Sequence, residues 1–179
     1  MAEIVITEFV DDATVQNLSQ DYQVHFDPTL VDQQQNLPIL LQDCRALIVR
    51  NRTQVTSKLL KSGPNIQVIG RLGVGLDNID TEACREQGIQ VCPAIGANSI
   101  SVAEYSIAAM LLLLKRGIFN VSERVIAGEW PRNELMGLEA AGRNFGLIGY
   151  GAISREVATR AKALGMQVMA FDPFINHND

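Results

Sequence analysis

Residues 145–172 read FGLIGYGAISREVATRAKALGMQVMAFD, and this stretch decides the fold. The apolar run at 145–148 predicts a strand, a glycine turn follows it, and residues 152–164 have helical spacing. Gly165 ends that helix, and a second strand is predicted at 167–171. Strand, glycine turn, helix and strand in this order indicate the first βαβ unit of a Rossmann sheet, which binds dinucleotides.

The glycine turn has the residues that a dinucleotide requires. Gly149 permits the tight turn, and Gly151 lets the backbone approach a pyrophosphate lying on the positive end of the next helix. Ser154 stands where a third glycine is usual, so we expect slightly looser packing. Asp172 lies 18 residues after Ser154, where a carboxylate accepts hydrogen bonds from ribose hydroxyls and repels a 2′-phosphate. The pattern favours NAD over NADP; the alternative is a plain turn with a surface aspartate.

Upstream, short β-rich runs alternate with helical patterns up to about residue 97. Alternation of this kind predicts a parallel sheet covered on both faces, in a flavodoxin-like α/β domain. The strands are predicted at residues 3–7, 22–26, 46–49, 67–70 and 90–92, and the helices at 12–20, 36–43, 57–62 and 81–87.

A long apolar helix is predicted at about residues 102–116. Ser101 and Glu104 have the spacing of a capping box at its start, and Gly117 ends it. Because apolar residues lie on nearly every face, we expect this helix to be buried all round, between domains or subunits.

Arginines and glycines are predicted at the carboxyl ends of the upstream strands. Arg50 and Arg52 follow the third strand, and Arg71 stands beside a turn containing Gly73 and Gly75. Forked guanidinium groups and consecutive glycine amides both suit an anion such as a carboxylate. Solvated arginines and ordinary turns are the alternative for each feature taken alone.

Composition excludes several function classes. The net charge of −5 without a basic run argues against a nucleic-acid surface. Three cysteines, an odd number, favour a reducing cytoplasm over a disulfide framework. The longest apolar run, residues 107–114, is far shorter than the roughly 20 residues that cross a bilayer. We predict no signal peptide, no membrane association and no metal site.

Four segments together resemble the D-isomer-specific 2-hydroxyacid dehydrogenases, of the phosphoglycerate and sulfolactate dehydrogenase type. They are VRNRTQVT at 49–56, GRLGVGLDNID at 70–80, ANSISVAEY at 97–105, and the glycine unit. The resemblance implies a substrate-binding lid domain at residues 1–97, lacking its usual C-terminal helix. Residues 98–179 would then form an interdomain helix and a truncated NAD-binding Rossmann domain.

The resemblance also implies which residues hold the ligands. The loop from Arg71 to Gly75 matches the family's substrate loop, so the amides of Val74 and Gly75 would bind the substrate carboxylate. Asn98 would lie near the substrate, and Val102 near the nicotinamide.

At the cofactor, Ala152 and Ile153 would offer their amides to the pyrophosphate. Relatives often have arginine at the position of Ala152, so one phosphate contact is expected to be missing.

The family's catalytic arginine, glutamate and histidine match no residue up to 179, so we expect no catalytic residue and no turnover by this chain alone. His25, in a strand, and His177, in the tail, are interpreted as structural or solvated residues. The truncated sheet also predicts marginal stability, with self-association or a missing remainder of the chain.

Three function hypotheses follow. The first is the N-terminal part of an NAD-dependent oxidoreductase that interconverts a small 2-hydroxy acid and its 2-keto acid. The second is a catalytically dead NAD-binding regulatory or scaffold module. The third, which the glycine turns and Asp172 disfavour, is a bare flavodoxin-like domain that binds nothing. In either of the first two cases the apolar helix and the segment around Trp130 predict a homodimer, and Arg50, Arg52 and Arg71 suggest a ligand with a second anionic group.

Overall fold

The computed structural model describes residues 2–175, and His177 lies outside them. The chain divides into two compact units, Met1–Ile95 and Gly96–Asp179, here called the first and second units. The functional roles of the two predicted domains stay predictions.

The first unit is built on a sheet of five parallel strands in the order β2-β1-β3-β4-β5. This is the flavodoxin-like strand order, so the predicted fold class is confirmed. Since all strands run in one direction, their carboxyl ends meet at one edge of the sheet. The strands are β1 (Ile4–Ile6), β2 (Val24–Phe26), β3 (Ala46–Val49), β4 (Val68–Arg71) and β5 (Gln90–Pro93).

Four helices cover this sheet: α1 (Asp12–Ser19), α2 (Leu37–Leu40), α3 (Ser57–Leu60) and α4 (Thr81–Glu86). On one face, α2, α3 and α4 contribute to a large apolar cluster with the strands. A smaller cluster around Ile4, Ile6 and Val10 lies on the other face, with Val15 and Leu18 of α1 packed against it. The sheet is therefore covered on both faces, as predicted, but unequally.

Helix α2 is shorter than the predicted helix at 36–43. The preceding residues form two 3-10 helices instead, Pro28–Asp32 and Gln34–Asn36. Pro38 in the first turn of α2 has no amide to extend a helix from upstream, which fits the late start.

The second unit contains the predicted βαβ element. Strands β6 (Asn144–Ile148) and β7 (Gln167–Phe171) pair in parallel on either side of helix α7 (Ala152–Ala163). Upstream of them lie α5 (Ser99–Leu114) and α6 (Ser122–Ile126). The strand, turn, helix and strand read from residues 145–172 are thus confirmed.

The predicted capping box at the start of α5 is wrong. The helix begins at Ser99 and not at 102, because the carbonyl of Asn98 already accepts a hydrogen bond from the Val102 amide at 3.0 Å. Ser101 and Glu104 therefore lie exposed inside the helix, and no side chain caps it. A capping-box spacing inside an earlier-starting helix is indistinguishable from a true one in sequence.

Within one chain, α5 is largely uncovered, and its predicted burial between domains or subunits stays a prediction. Only Ser99 and Ala103 are buried, whereas Tyr105 is 75 % and Leu113 80 % exposed. An apolar composition indicates that another surface covers a helix. It does not indicate whether that surface belongs to the same chain or to a second one. Among residues 2–175, no helix is long and apolar enough to cross a membrane.

Candidate functional site: a glycine turn in the second unit and an anion loop in the first

The turn between β6 and α7 has the conformation that its glycines allow. Gly149 has φ +85°, in the left-handed region that favours glycine. Its amide donates to the carbonyl of Phe171 at 2.7 Å, which fixes the turn to the end of β7. Gly151 is extended at the N-cap of α7 and, lacking a side chain, leaves the helix end open.

The first amides of α7 are available to a ligand. The first helical bond runs from the Arg155 amide to the Gly151 carbonyl at 3.0 Å. Within residues 2–175 the amides of Ala152 and Ile153 have no acceptor. Free amides at the positive end of a helix attract an anion such as a phosphate.

Asp172 follows β7 and is hydrogen-bonded to the glycine turn itself. Its Oδ2 accepts the Tyr150 amide at 2.7 Å, and its Oδ1 accepts the Phe174 amide at 2.9 Å. These bonds, Tyr150 first, and the charge of Arg155 lower the pKa of Asp172. The carboxylate is thus ionised at neutral pH, and each oxygen retains a lone pair for a further donor.

Sequence reasoning placed Asp172 correctly at the strand end but missed its neighbours. Arg155 lies 4.9 Å from the centre of the Tyr150 ring, and its Nε donates to the Tyr150 carbonyl at 3.2 Å. Tyr150, Arg155 and Asp172 therefore fix one another around the turn. A sequence signal existed in the aromatic residue inside the glycine turn and the arginine five positions later.

In the first unit, the anion loop (residues 71–77) follows β4. The Gly73 amide donates to the Arg71 carbonyl at 2.8 Å, and the Ala94 amide donates to the Gly73 carbonyl at 3.0 Å, so the start of the loop is fixed. Val74 and Gly75 beyond it are exposed. Across the described residues, their amides donate to no protein acceptor.

The Arg71 guanidinium folds back over this loop. A Cβ added at Gly73 would lie 1.4 Å from Arg71 Nη1, so only glycine leaves room for the guanidinium there. Arg71 Nε is buried without a hydrogen-bond partner. Burying an unpaired donor of a cationic group is costly.

The arginine loop (residues 50–53) lies next to Arg71, because Val49 pairs with Arg71 in the register of β3 and β4. The three predicted arginines differ in availability. Arg52 forms an ion pair with Asp32. Arg50 is exposed, and neither its side chain nor that of Arg71 has a hydrogen-bond or ion-pair partner in the part of the chain that the structure describes.

Glu8 is a residue that sequence reasoning missed. It follows β1 and is 5 % exposed, and its carboxylate accepts hydrogen bonds from the amides of the arginine loop. Burial alone would raise the pKa of Glu8, but the bonds from Thr53, Arg50 and Arg52 outweigh it and the net pKa is lowered. The available signal was an acidic residue directly after a buried strand.

The remaining predicted residues lie at the start of α5. Asn98 occupies the N-cap position with an exposed side chain and Val102 is half-buried. Among residues 2–175, no group of three or more His, Cys, Asp and Glu side chains could hold a metal ion.

The chain combines a flavodoxin-like sheet that carries an anion loop with a βαβ unit that carries a glycine turn. Together these features define the class of two-unit dinucleotide-dependent α/β enzymes. Residues 4–177 match the family described as D-isomer specific 2-hydroxyacid dehydrogenase, catalytic domain. The chain belongs to this family.

Two curated relatives are informative. The chain is 51 % identical over 179 residues to an (S)-sulfolactate dehydrogenase of Chromohalobacter salexigens, covering 100 % of this chain and 58 % of the relative. It is 44 % identical over 131 residues to a D-3-phosphoglycerate dehydrogenase of Archaeoglobus fulgidus, covering 73 % of this chain and 25 % of the relative. The chain thus spans little more than half the length of the first relative and a quarter of the length of the second.

Solved structures share the fold. An NAD⁺-bound 3-phosphoglycerate dehydrogenase of Entamoeba histolytica aligns with a TM-score of 0.77 at 25 % identity, covering 98 % of this chain and 55 % of that one. A protein of Thermus thermophilus aligns with a TM-score of 0.84 at 24 % identity, covering 97 % of this chain and 57 % of that one.

Proposed function

We propose that this chain supplies the substrate-anion site and the first half of the cofactor site of an NAD-dependent 2-hydroxyacid dehydrogenase. The observation that carries the proposal is the glycine turn of the second unit. In that turn the amides of Ala152 and Ile153 are free, and the Tyr150 amide donates a hydrogen bond to Asp172. Phosphate and ribose of one dinucleotide are the groups that such a turn recognises.

NAD is the proposed cofactor rather than NADP. The ionised Asp172 has acceptor capacity for the ribose hydroxyls, and its negative charge opposes a 2′-phosphate. Arg155 is a cation near this carboxylate, but it is engaged with Tyr150. The NAD⁺-bound relative supports the same choice.

The proposed substrate is a small 2-hydroxy or 2-keto acid that carries a second anionic group. The free amides of Val74 and Gly75 suit its carboxylate, and Arg50 and Arg71 suit a sulfonate or phosphate. Arg52 is assigned a lesser role than the sequence suggested, because Asp32 already pairs with it. The names of the sulfolactate and phosphoglycerate dehydrogenase relatives support a second anion.

Residues 1–179 by themselves are proposed to bind these ligands without turnover. Reduction of a keto acid needs a proton donor for the developing alkoxide. The residues assigned to the acid-binding site, Arg50, Arg71, Val74 and Gly75, offer guanidinium groups and backbone amides but no histidine or carboxyl side chain to supply that proton. His25 lies within β2, paired in register with Val5, and is not part of the anion loop.

We further propose that the chain is a cytoplasmic homodimer. Cys44, Cys84 and Cys92 are all free thiols, as expected in a reducing compartment. Tyr105 and Leu113 of α5 are largely exposed, and a second copy is the proposed cover.

The proposal is tested by titrating the chain into NADH and following the reduced-nicotinamide fluorescence, then adding sulfolactate, phosphoglycerate or lactate. We expect saturable NADH binding, and acid binding that is tighter for the two acids with a second anion. A folded chain that leaves NADH fluorescence unchanged would refute the cofactor site. Equal binding of all three acids would refute the role of the arginines.

A further inference from the structure

The arginine loop is wrapped around a carboxylate of the chain itself. Glu8 Oε1 accepts the amides of Arg50 at 2.9 Å and Thr53 at 3.0 Å. Oε2 accepts the amides of Asn51 at 3.3 Å and Arg52 at 3.2 Å. Four consecutive amides therefore converge on one internal anion, in the manner of a backbone nest around a bound phosphate.

A second set of bonds holds the carbonyl groups of the arginine loop. Asn78, 7 % exposed, donates through Nδ2 to the carbonyls of Arg50 at 3.2 Å and Thr53 at 2.7 Å. The Thr53 hydroxyl also shares a hydrogen bond of 2.8 Å with the Thr7 hydroxyl. Since Asn78 directly follows the anion loop, the arginine loop and the anion loop are held as one assembly.

We propose that Glu8 is a positioning residue for the acid site, the site that binds the 2-hydroxy or 2-keto acid. Glu8 holds the backbone of the arginine loop, so that the Arg50 side chain is directed toward the second anionic group of the ligand. The loop amides are occupied by Glu8, so the ligand meets the arginine loop only through side chains. This inference rests on the proposed function, because Arg50 is assigned there to the second anion of the substrate.

Glu8→Gln and Glu8→Asp are expected to affect the arginine loop differently. In Glu8→Gln an NH₂ group replaces an accepting oxygen and points its donors at amide donors, so the loop has to move. Glu8→Asp keeps the charge and both accepting oxygens on a side chain shorter by one methylene. The aspartate variant should therefore restore part of what the glutamine variant loses.

The first measurement follows the amides of the arginine loop in the full chain by NMR. In the wild type the four amide signals should be protected from exchange and should shift together as acid protonates Glu8. Both properties should be lost in Glu8→Gln and kept in Glu86→Gln, which removes an exposed carboxylate from α4. Unchanged protection in Glu8→Gln, in a chain that is still folded, would overturn the proposal.

The second measurement is a double-mutant cycle on the binding of sulfolactate and lactate, with NADH present. Arg50→Met should weaken sulfolactate binding about tenfold, the usual scale for a charge-assisted hydrogen bond, and leave lactate binding nearly unchanged. Glu8→Gln should show the same selective loss, partly restored by Glu8→Asp. The double variant should be no weaker than Arg50→Met, because Glu8 acts through Arg50.

The outcomes separate the two proposals. Additive losses in a chain that binds sulfolactate would overturn the positioning role of Glu8 while the proposed function stands. A wild-type chain that binds neither acid would refute the acid site of the proposed function, and the positioning role would fall with it.

Discussion

Glycine at position 73 is explained by the side chain that lies over it. In Gly73→Ala the new methyl group would displace the Arg71 guanidinium, which is the flexible end of a long side chain. We predict a stability change within about 0.5 kcal/mol and a loss of about tenfold or more in affinity for a doubly anionic acid. Chemical denaturation and acid titration measure the two effects.

The control for this variant is Gly88→Ala at the end of α4. Gly88 has φ +69°, and nothing lies within 4 Å of an added Cβ. It should therefore lose about 1 kcal/mol of stability through backbone strain, with acid affinity unchanged. Wild-type acid affinity in Gly73→Ala would show that Arg71 is not part of the site.

Glu8 also makes stability depend on pH. Its pKa is lower in the folded chain than the ordinary glutamate value, so its stabilising contribution is complete above that ordinary value. The contribution is lost as the pH falls through the folded-state pKa. At neutral pH, Glu8→Gln should cost about 2 kcal/mol or more, because buried amides lose their acceptor.

Urea denaturation of both forms at pH 7 and at pH 4 checks this expectation. The difference between wild type and Glu8→Gln should be smaller at the lower pH. A difference that grows with acidification would mean that Glu8 is destabilised as an anion in the folded chain.

Single residues show where sequence reasoning was effective. Asp172 was placed by its distance from the glycine turn, because the length of a βαβ unit fixes which strand end faces that turn. The bond from the Tyr150 amide to Asp172 and the nest around Glu8 were not predicted. They join segments 22 and more than 40 residues apart, and no local pattern encodes such a pairing.

Elements were predicted well in kind and less well at their ends. The seven strands within residues 2–175 were all expected within about two residues of their observed positions, since a parallel sheet buries short β-rich runs that stand out in sequence. The start of α5 was misplaced, because its true N-cap position, Asn98, makes no side-chain cap. The predicted helix at 36–43 was longer than α2, which spans only Leu37–Leu40 and follows a 3-10 helix.

The start of α4 has a side-chain cap and the start of α5 has none, and this difference predicts different effects of mutation. Asp80 caps α4 by accepting the Ala83 amide at 3.0 Å, so Asp80→Ala should lower the free energy of unfolding by about 1 kcal/mol. Ser101→Ala should change it by less than about 0.5 kcal/mol, because Ser101 is an exposed residue inside α5. Thermal or chemical denaturation measures the stability of both variants. A larger loss of stability in Ser101→Ala than in Asp80→Ala would indicate that Ser101 does cap α5.

At the scale of the whole molecule, the exposed apolar side chains of α5 predict self-association. Leu113, 80 % exposed, should lie in the interface of the proposed homodimer. Sedimentation equilibrium of the wild-type chain should show a dimer, and Leu113→Glu should shift it toward monomer by placing a charge in an apolar contact. A wild-type chain that stays monomeric at high concentration would contradict the proposed dimer.

The central claim is that the glycine turn and Asp172 form the first half of a dinucleotide site, and that this half binds NAD. Calorimetric titration of the chain with NAD and with NADP tests it most directly, with Asp172→Ala as the site variant. The matched control is Asp43→Ala, which removes an exposed carboxylate from the loop between α2 and β3 of the first unit. We predict micromolar NAD binding that is tighter than NADP binding, weakened about tenfold or more in Asp172→Ala and unchanged in Asp43→Ala. A folded chain that binds no NAD, or binds it equally well without Asp172, would contradict the claim.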